Sequence, residues 1–197
     1  GIIYDLHERF SPDQAIRIMN RLEPYDPFFI EDPIAPDCPD SLRYVREKTT
    51  VPIAFGELYK SRWECLPAIS NHWIDYIRCD VIRIGGITEA RKIAALAETY
   101  DIKTAWHGPN DVSPITHAVN WHLNVSEYNF GIQEDGTADS LIKQVVSGGP
   151  SYQDGYLVMG DAPGIGCDID EEAAARYPFR KAYIPICRQK DESLHTW

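Results

Sequence analysis

What this 197-residue chain lacks narrows the reading first. It has no run of 18 apolar residues and no signal-peptide pattern, so no long apolar span is expected. It has no surplus of positive charge: 19 Lys and Arg stand against 30 Asp and Glu, a formal net charge of −11. Nucleic-acid backbones and anionic membranes select basic surfaces, so neither is expected as a partner. The five cysteines, Cys38, Cys65, Cys79, Cys167 and Cys187, are odd in number, scattered and without a C-x-x-C pair. That distribution fits reduced thiols in a cytoplasm better than a disulfide frame or a zinc site, so a cytoplasmic protein is expected. No linker, low-complexity tract or second-domain boundary interrupts the chain. It also lacks an initiator Met and enters a strand-like run by Ile2, so we expect it to be the carboxyl-terminal part of a longer protein.

What is present is a beat. Asp5, Glu31 and Glu57 recur every 26 residues, each behind a short apolar run: Ile2-Ile3-Tyr4, Phe28-Phe29-Ile30 and Val51-Pro52-Ile53-Ala54-Phe55. The rhythm continues with Arg78 and Asp80 after Trp73-Ile74-Asp75-Tyr76-Ile77. His107 then closes residues 102–106, and Glu134 closes Phe130-Gly131-Ile132-Gln133. A strand, a loop, a helix and a return loop take about 25 to 30 residues, which makes this a repeated βα unit. Helix signals fill the gaps. Ser11-Pro12-Asp13-Gln14 supplies an N-cap serine, a proline at the first helical position and a glutamine at the capping-box position. Similar patterns predict helices over residues 41–48, 62–69, 88–100 and 115–123, with a short one at 170–176. Six strands and five intervening helices are expected up to residue 134, forming a parallel sheet covered by helices. The fold class is α/β, with residues 1–150 as a partial barrel and 151–197 as a carboxyl-terminal extension packed on it.

Polar groups at the carboxyl ends of successive parallel strands face one mouth, where (β/α) barrels keep their chemistry. Any one of Asp5, Glu31 or Glu57 alone reads as an ordinary loop carboxylate. Three in register suggest a single site for a hard divalent cation, which takes oxygen ligands. His7, two residues beyond Asp5, shares its face if strand geometry persists. His107 with Asp80 is a second candidate acid/base pair, with Asp80 as a structural anchor the alternative. Arg78 offers positive charge to an anionic substrate or serves a salt bridge, and Glu134 offers a hydrogen bond to a hydroxyl. Trp63, Trp73 and Trp121 read as packing residues, leaving Trp106, beside His107, as the one tryptophan of interest.

Asp5-Leu6-His7, Phe29-Ile30-Glu31-Asp32-Pro33, Phe55-Gly56-Glu57, Ile77-Arg78-Cys79-Asp80, Gly85-Gly86-Ile87-Thr88, Trp106-His107-Gly108-Pro109 and Gly131-Ile132-Gln133-Glu134 together resemble the enolase superfamily. With Pro163-Gly164-Ile165-Gly166-Cys167-Asp168-Ile169, they resemble its D-mannonate dehydratase family, which includes relatives labelled starvation-sensing proteins. The resemblance runs along essentially the whole chain. It implies the carboxyl-terminal part of a (β/α)7β barrel, from the third strand on, without the amino-terminal capping domain and first two strands. It implies one Mg²⁺ per subunit held by Asp5, Glu31 and Glu57, with His7 as the acid that helps the 3-hydroxyl leave. It further implies that Glu57, Arg78, His107, Asp111 and Glu134 contact a sugar acid, that the full-length form is a homo-oligomer, and that the α-proton base lies in the absent part.

Pro109 departs from the alanine of the family's efficient mannonate dehydratases and accompanies weak or absent mannonate turnover there. The expected activity is therefore dehydration of a sugar acid, whether mannonate, gluconate, another aldonate or an acid outside that set, to a 2-keto-3-deoxy acid. The rivals are an epimerase or racemase using His107 and Asp80, and a non-catalytic sugar-acid binder or regulatory relative. The chain alone is expected to be inactive.

Overall fold

The computed structural model describes residues 1–110, 112–136, 142–149, 151–181 and 190–192. Five strands, β1 (Ile3–Asp5), β2 (Phe29–Glu31), β3 (Ile53–Phe55), β4 (Tyr76–Ile77) and β5 (Lys103–Thr104), lie side by side in chain order, all parallel. A helix links each to the next: α1 (Pro12–Leu22), α2 (Pro39–Arg46), α3 (Arg62–Ser70) and α4 (Ile87–Thr99), with α5 (Pro114–Ser126) following β5. All five were anticipated within a few residues, because their start signals are local chemistry. At α1, for example, the Ser11 N–H donates to the Gln14 side chain at 3.1 Å.

The expected sixth strand is a correction. Phe130 makes only an isolated parallel bridge to Thr104. The Gly131 and Ile132 N–H groups both converge on the Thr104 carbonyl, at 3.0 and 3.3 Å, and two donors on one acceptor end the ladder before it starts. The segment still returns to the sheet and delivers Glu134 to its carboxyl end.

β2 and β3 are buried on both faces, as helix-covered parallel strands are, whereas β1 leaves Ile3 and Tyr4 partly exposed. Ile30, Ile53, Phe55, Ile77 and Trp106 fill the core between sheet and helices, and buried Phe29 packs against Tyr76 on the other face of the sheet. Within it, Cys65 on α3 and Cys79 after β4 touch sulfur to sulfur at 3.5 Å. The amino-terminal end of the sheet is stapled by charge: Arg46 donates to Asp75 Oδ2 (2.9 Å) and to the Thr49 and Val51 carbonyls, and the same Asp75 oxygen accepts the Ile53 N–H. Function is thereby left to the opposite end.

Beyond Glu134, β6 (Val146–Gly148) pairs antiparallel with β9 (Cys167–Ile169). β7 (Ser151–Gln153) and β8 (Tyr156–Val158) form a hairpin whose Asp154-Gly155 turn has φ of 50° and 83°, the positive values that a two-residue loop requires. The expected short helix is α6 (Glu171–Ala175), capped by the Asp170 carboxylate, which accepts the Ala173 N–H at 2.9 Å. Ile165 packs against the core. Among the described residues no helix is long and apolar enough to cross a membrane.

Candidate active site

At the carboxyl end of the sheet a cavity of about 380 Å³ opens. Asp5, His7, Glu31 and Glu57 line it from the ends of β1 to β3, Asp80, His107 and Pro109 line it from beyond β4 and β5, and Glu134 lines it from the segment that returns to the sheet after α5. Arg78 sits behind this lining, and Asp111 lies outside the described residues.

Asp5 ends β1. Its Oδ1 accepts the His7 N–H at 2.7 Å, and His7 and Glu8 then adopt left-handed φ of 51° and 55°. Strand geometry therefore does not persist to His7, contrary to the expectation from period two; the turn, not the pleat, brings the imidazole to the cavity.

That turn also exposes something sequence reasoning missed. Glu8, Asp32 and Glu57 place ligand atoms within 4.8 Å of one another. Asp32 has φ 33°, so simple alternation fails there and its side chain joins the same end as Glu31. Its Oδ1 accepts the Gly56 N–H at 2.9 Å, but its buried Oδ2 and the buried Glu8 Oε1 have no hydrogen-bond donor from the protein. Burial pushes Glu8 up to about 7, helped by the nearby Glu57 charge, and burial followed by Glu8 pushes Asp32 upward. Facing buried carboxylates call for a shared proton or a cation. The only sequence signal was adjacency, since Glu8 follows His7 and Asp32 follows Glu31.

Arg78 is nearly inaccessible, with 4% of its side chain exposed. Nε donates to Glu31, Nη1 to the Ala105 carbonyl at 3.1 Å and Nη2 to Glu134 Oε2 at 2.7 Å. Burial alone would lower its pKa, but the Glu31 and Glu134 charges outweigh that, so the guanidinium stays charged. Burial raises Glu31 although Arg78 pulls the other way. Glu134 Oε2 also accepts the Gly108 N–H at 2.7 Å, which ties the returning segment to the chain just past His107.

His107 Nδ1 lies 3.2 Å from Asp80 Oδ2, and Nε2 lies 3.6 Å from Glu57 Oε2. Burial works against the imidazolium, yet the Asp80 hydrogen bond and the Glu57 charge raise its pKa overall. Burial pushes Asp80 up, and its bonds to His107 and the Ile82 N–H more than offset this, leaving it low. The two roles weighed for Asp80 coexist: Oδ2 meets His107 while Oδ1 anchors the following loop through Ile82 at 2.8 Å. Both shifts favour the ion-paired form, an imidazolium beside a carboxylate, over the neutral pair.

The enolase C-terminal domain-like family matches residues 1–173.

The chain belongs to that family.

Among similar proteins is a D-galactonate dehydratase family member of Salmonella enteritidis PT4, 47% identical over 176 residues, 89% of this chain and 42% of the relative. A D-mannonate dehydratase of Caulobacter sp. strain K31 is 40% identical over 196 residues, 100% of this chain and 49% of the relative. An enolase from Pantoea ananatis, solved with bound D-gluconate and Mg, superposes with a TM-score of 0.87 at 44% identity, covering 91% of this chain and 43% of that one. The chain thus spans about half the length of the relatives it matches. Within the enolase C-terminal domain-like family it sits among sugar-acid dehydratase relatives, and its helix-covered parallel sheet is a partial barrel of that kind.

Proposed function

We propose that the intact protein is a Mg²⁺-dependent hydro-lyase that removes water from an aldonate to give a 2-keto-3-deoxy acid. The observation that carries this is one cavity in which Asp5, Glu31 and Glu57 face His7 and the His107–Asp80 pair, in a chain whose relatives bear dehydratase names. The donor set is all oxygen, and the buried carboxylate oxygens without donors beside it favour a hard cation. Asp5, Glu31 and Glu57 would hold it, with Arg78 fixing the orientation of Glu31. When bound, the ion supplies positive charge to the substrate carboxylate, which acidifies the α-position. A base of the intact protein takes the α-proton, and the electron pair left at C2 expels the 3-hydroxyl as His7 gives it a proton, so that it leaves as water. The resulting enol tautomerises to the keto acid. Arg78 and the Gly108 N–H hold Glu134 where it accepts a substrate hydroxyl. Pro109, on the lining beside His107, is the position we assign to choice among aldonates.

A second reading has its own observation. The His107–Asp80 pair is built as a proton carrier and suits α-proton exchange without elimination, as in an epimerase. Incubating the intact protein with Mg²⁺ and gluconate, mannonate or galactonate in D₂O separates the two. A dehydratase forms keto acid, and His7→Asn lowers that kcat by about 10²- to 10⁴-fold. Deuterium at C2 without keto acid would replace the dehydratase reading by the epimerase one. Neither product from any aldonate would remove both.

A further inference from the structure

Five carboxylates line the described cavity: Asp5, Glu31, Glu57, Asp80 and Glu134. A sugar acid brings a sixth negative charge to them. Arg78, the cation that sequence reasoning assigns to the substrate, is buried and spends its three nitrogens on Glu31, Ala105 and Glu134. Among the described residues the cavity has one arginine or lysine on its wall, Arg83.

Arg83 stands in the loop between β4 and α4, where its N–H donates to the Asp80 carbonyl at 3.0 Å. The side chain is 40% exposed. Its present contacts are long: Nη1 reaches the Glu57 carbonyl at 3.3 Å and Glu57 Oε1 at 3.4 Å, and Nε is 3.9 Å from Asp80 Oδ2. Among the described residues Nη2 makes no hydrogen bond. A planar fork held loosely on one edge and open on the other is the form in which arginine receives a second carboxylate.

We infer that Arg83 is a substrate-binding residue that captures the carboxylate of the sugar acid and makes the cavity select acids over their neutral counterparts. This rests on the sugar-acid reading above and names a contact that reading lacked. Arg78 then neutralises wall carboxylates from behind, and Arg83 meets the ligand carboxylate from the front, a second positive group beside the ion assigned to it above.

The test is calorimetric titration of the intact protein with Mg²⁺ present, using gluconate, mannonate and galactonate and the amide of each. In Arg83→Gln, affinity for the acid should fall about 10- to 100-fold, the worth of one charge-assisted contact, while affinity for the amide stays as in the wild type. Arg83→Lys should restore part of the acid affinity. An equal loss for acid and amide would overturn the inference, because it would mean that Arg83 acts only by steadying Glu57. Unchanged acid affinity in a folded Arg83→Gln protein would overturn it as well. If the wild type bound none of the acids, the sugar-acid reading itself would fall and this inference with it, a result distinct from the other two.

Discussion

Glu127 is a residue with a titration problem of its own, away from the cavity. It occupies the C-cap of α5, where the helix dipole disfavours negative charge, and accepts the Trp106 indole N–H at 3.2 Å. Burial pushes its carboxyl from the ordinary 4.5 up to about 7. Between those values the folded protein holds a proton that the unfolded chain releases. Stability attributable to Glu127 is therefore complete below about pH 4.5, falls as pH rises towards 7 and is flat above. Glu127→Gln keeps an acceptor for Trp106 and removes the charge. It should raise stability at pH 8 on the order of 1–2 kcal/mol, discounted for partial exposure, with little change at pH 4.5. Denaturant midpoints at the two pH values check this, and an equal shift at both would refute it. Single residues were unevenly legible in the sequence. Asp5, Glu31 and Glu57 stood out through their stride, whereas Glu8 and Asp32 did not, because left-handed backbone at positions 7, 8 and 32 breaks the alternation on which a strand-based reading depends.

Elements were easier. Caps are written in three or four adjacent residues, so Ser11 to Gln14 and Ser113-Pro114 fixed helix starts without tertiary knowledge. The failed strand at residues 130–133 shows the limit, since a strand is a relation to a partner and the apolar run says nothing about where its N–H groups go. The segment's tight return also explains Gly108. A Cβ there would sit inside contact distance of the Glu134 carbonyl and 2.9 Å from Gln133 Nε2. Gly108→Ala should therefore push apart the segments carrying His107 and Glu134, at a cost of about 1–3 kcal/mol. The expected readout is a lower thermal midpoint than that of the wild type. An unaltered midpoint would mean that the two segments yield freely.

At the scale of the molecule the two ends of the sheet have different duties: Arg46 and Asp75 staple the amino end, and the carboxyl end gathers the titratable groups. The division follows from parallel strands alone, which is why the location of the site could be read before any distance was known. The touching sulfurs of Cys65 and Cys79 have a kinetic consequence. Both are fully buried, and Cys79 is made less acidic by its bond to Cys65 and by burial, while exposed Cys38 is made more acidic by the Ser41 N–H. An aromatic disulfide reagent should therefore label Cys38 within its mixing time and wait on the other two, reaching them only when the layer holding α3 breathes open. The lag is a stopwatch for that breathing. A slowdown of about 10³-fold or more relative to Cys38 would report an opening free energy of several kcal/mol, and near-simultaneous labelling would show that α3 detaches readily from the sheet.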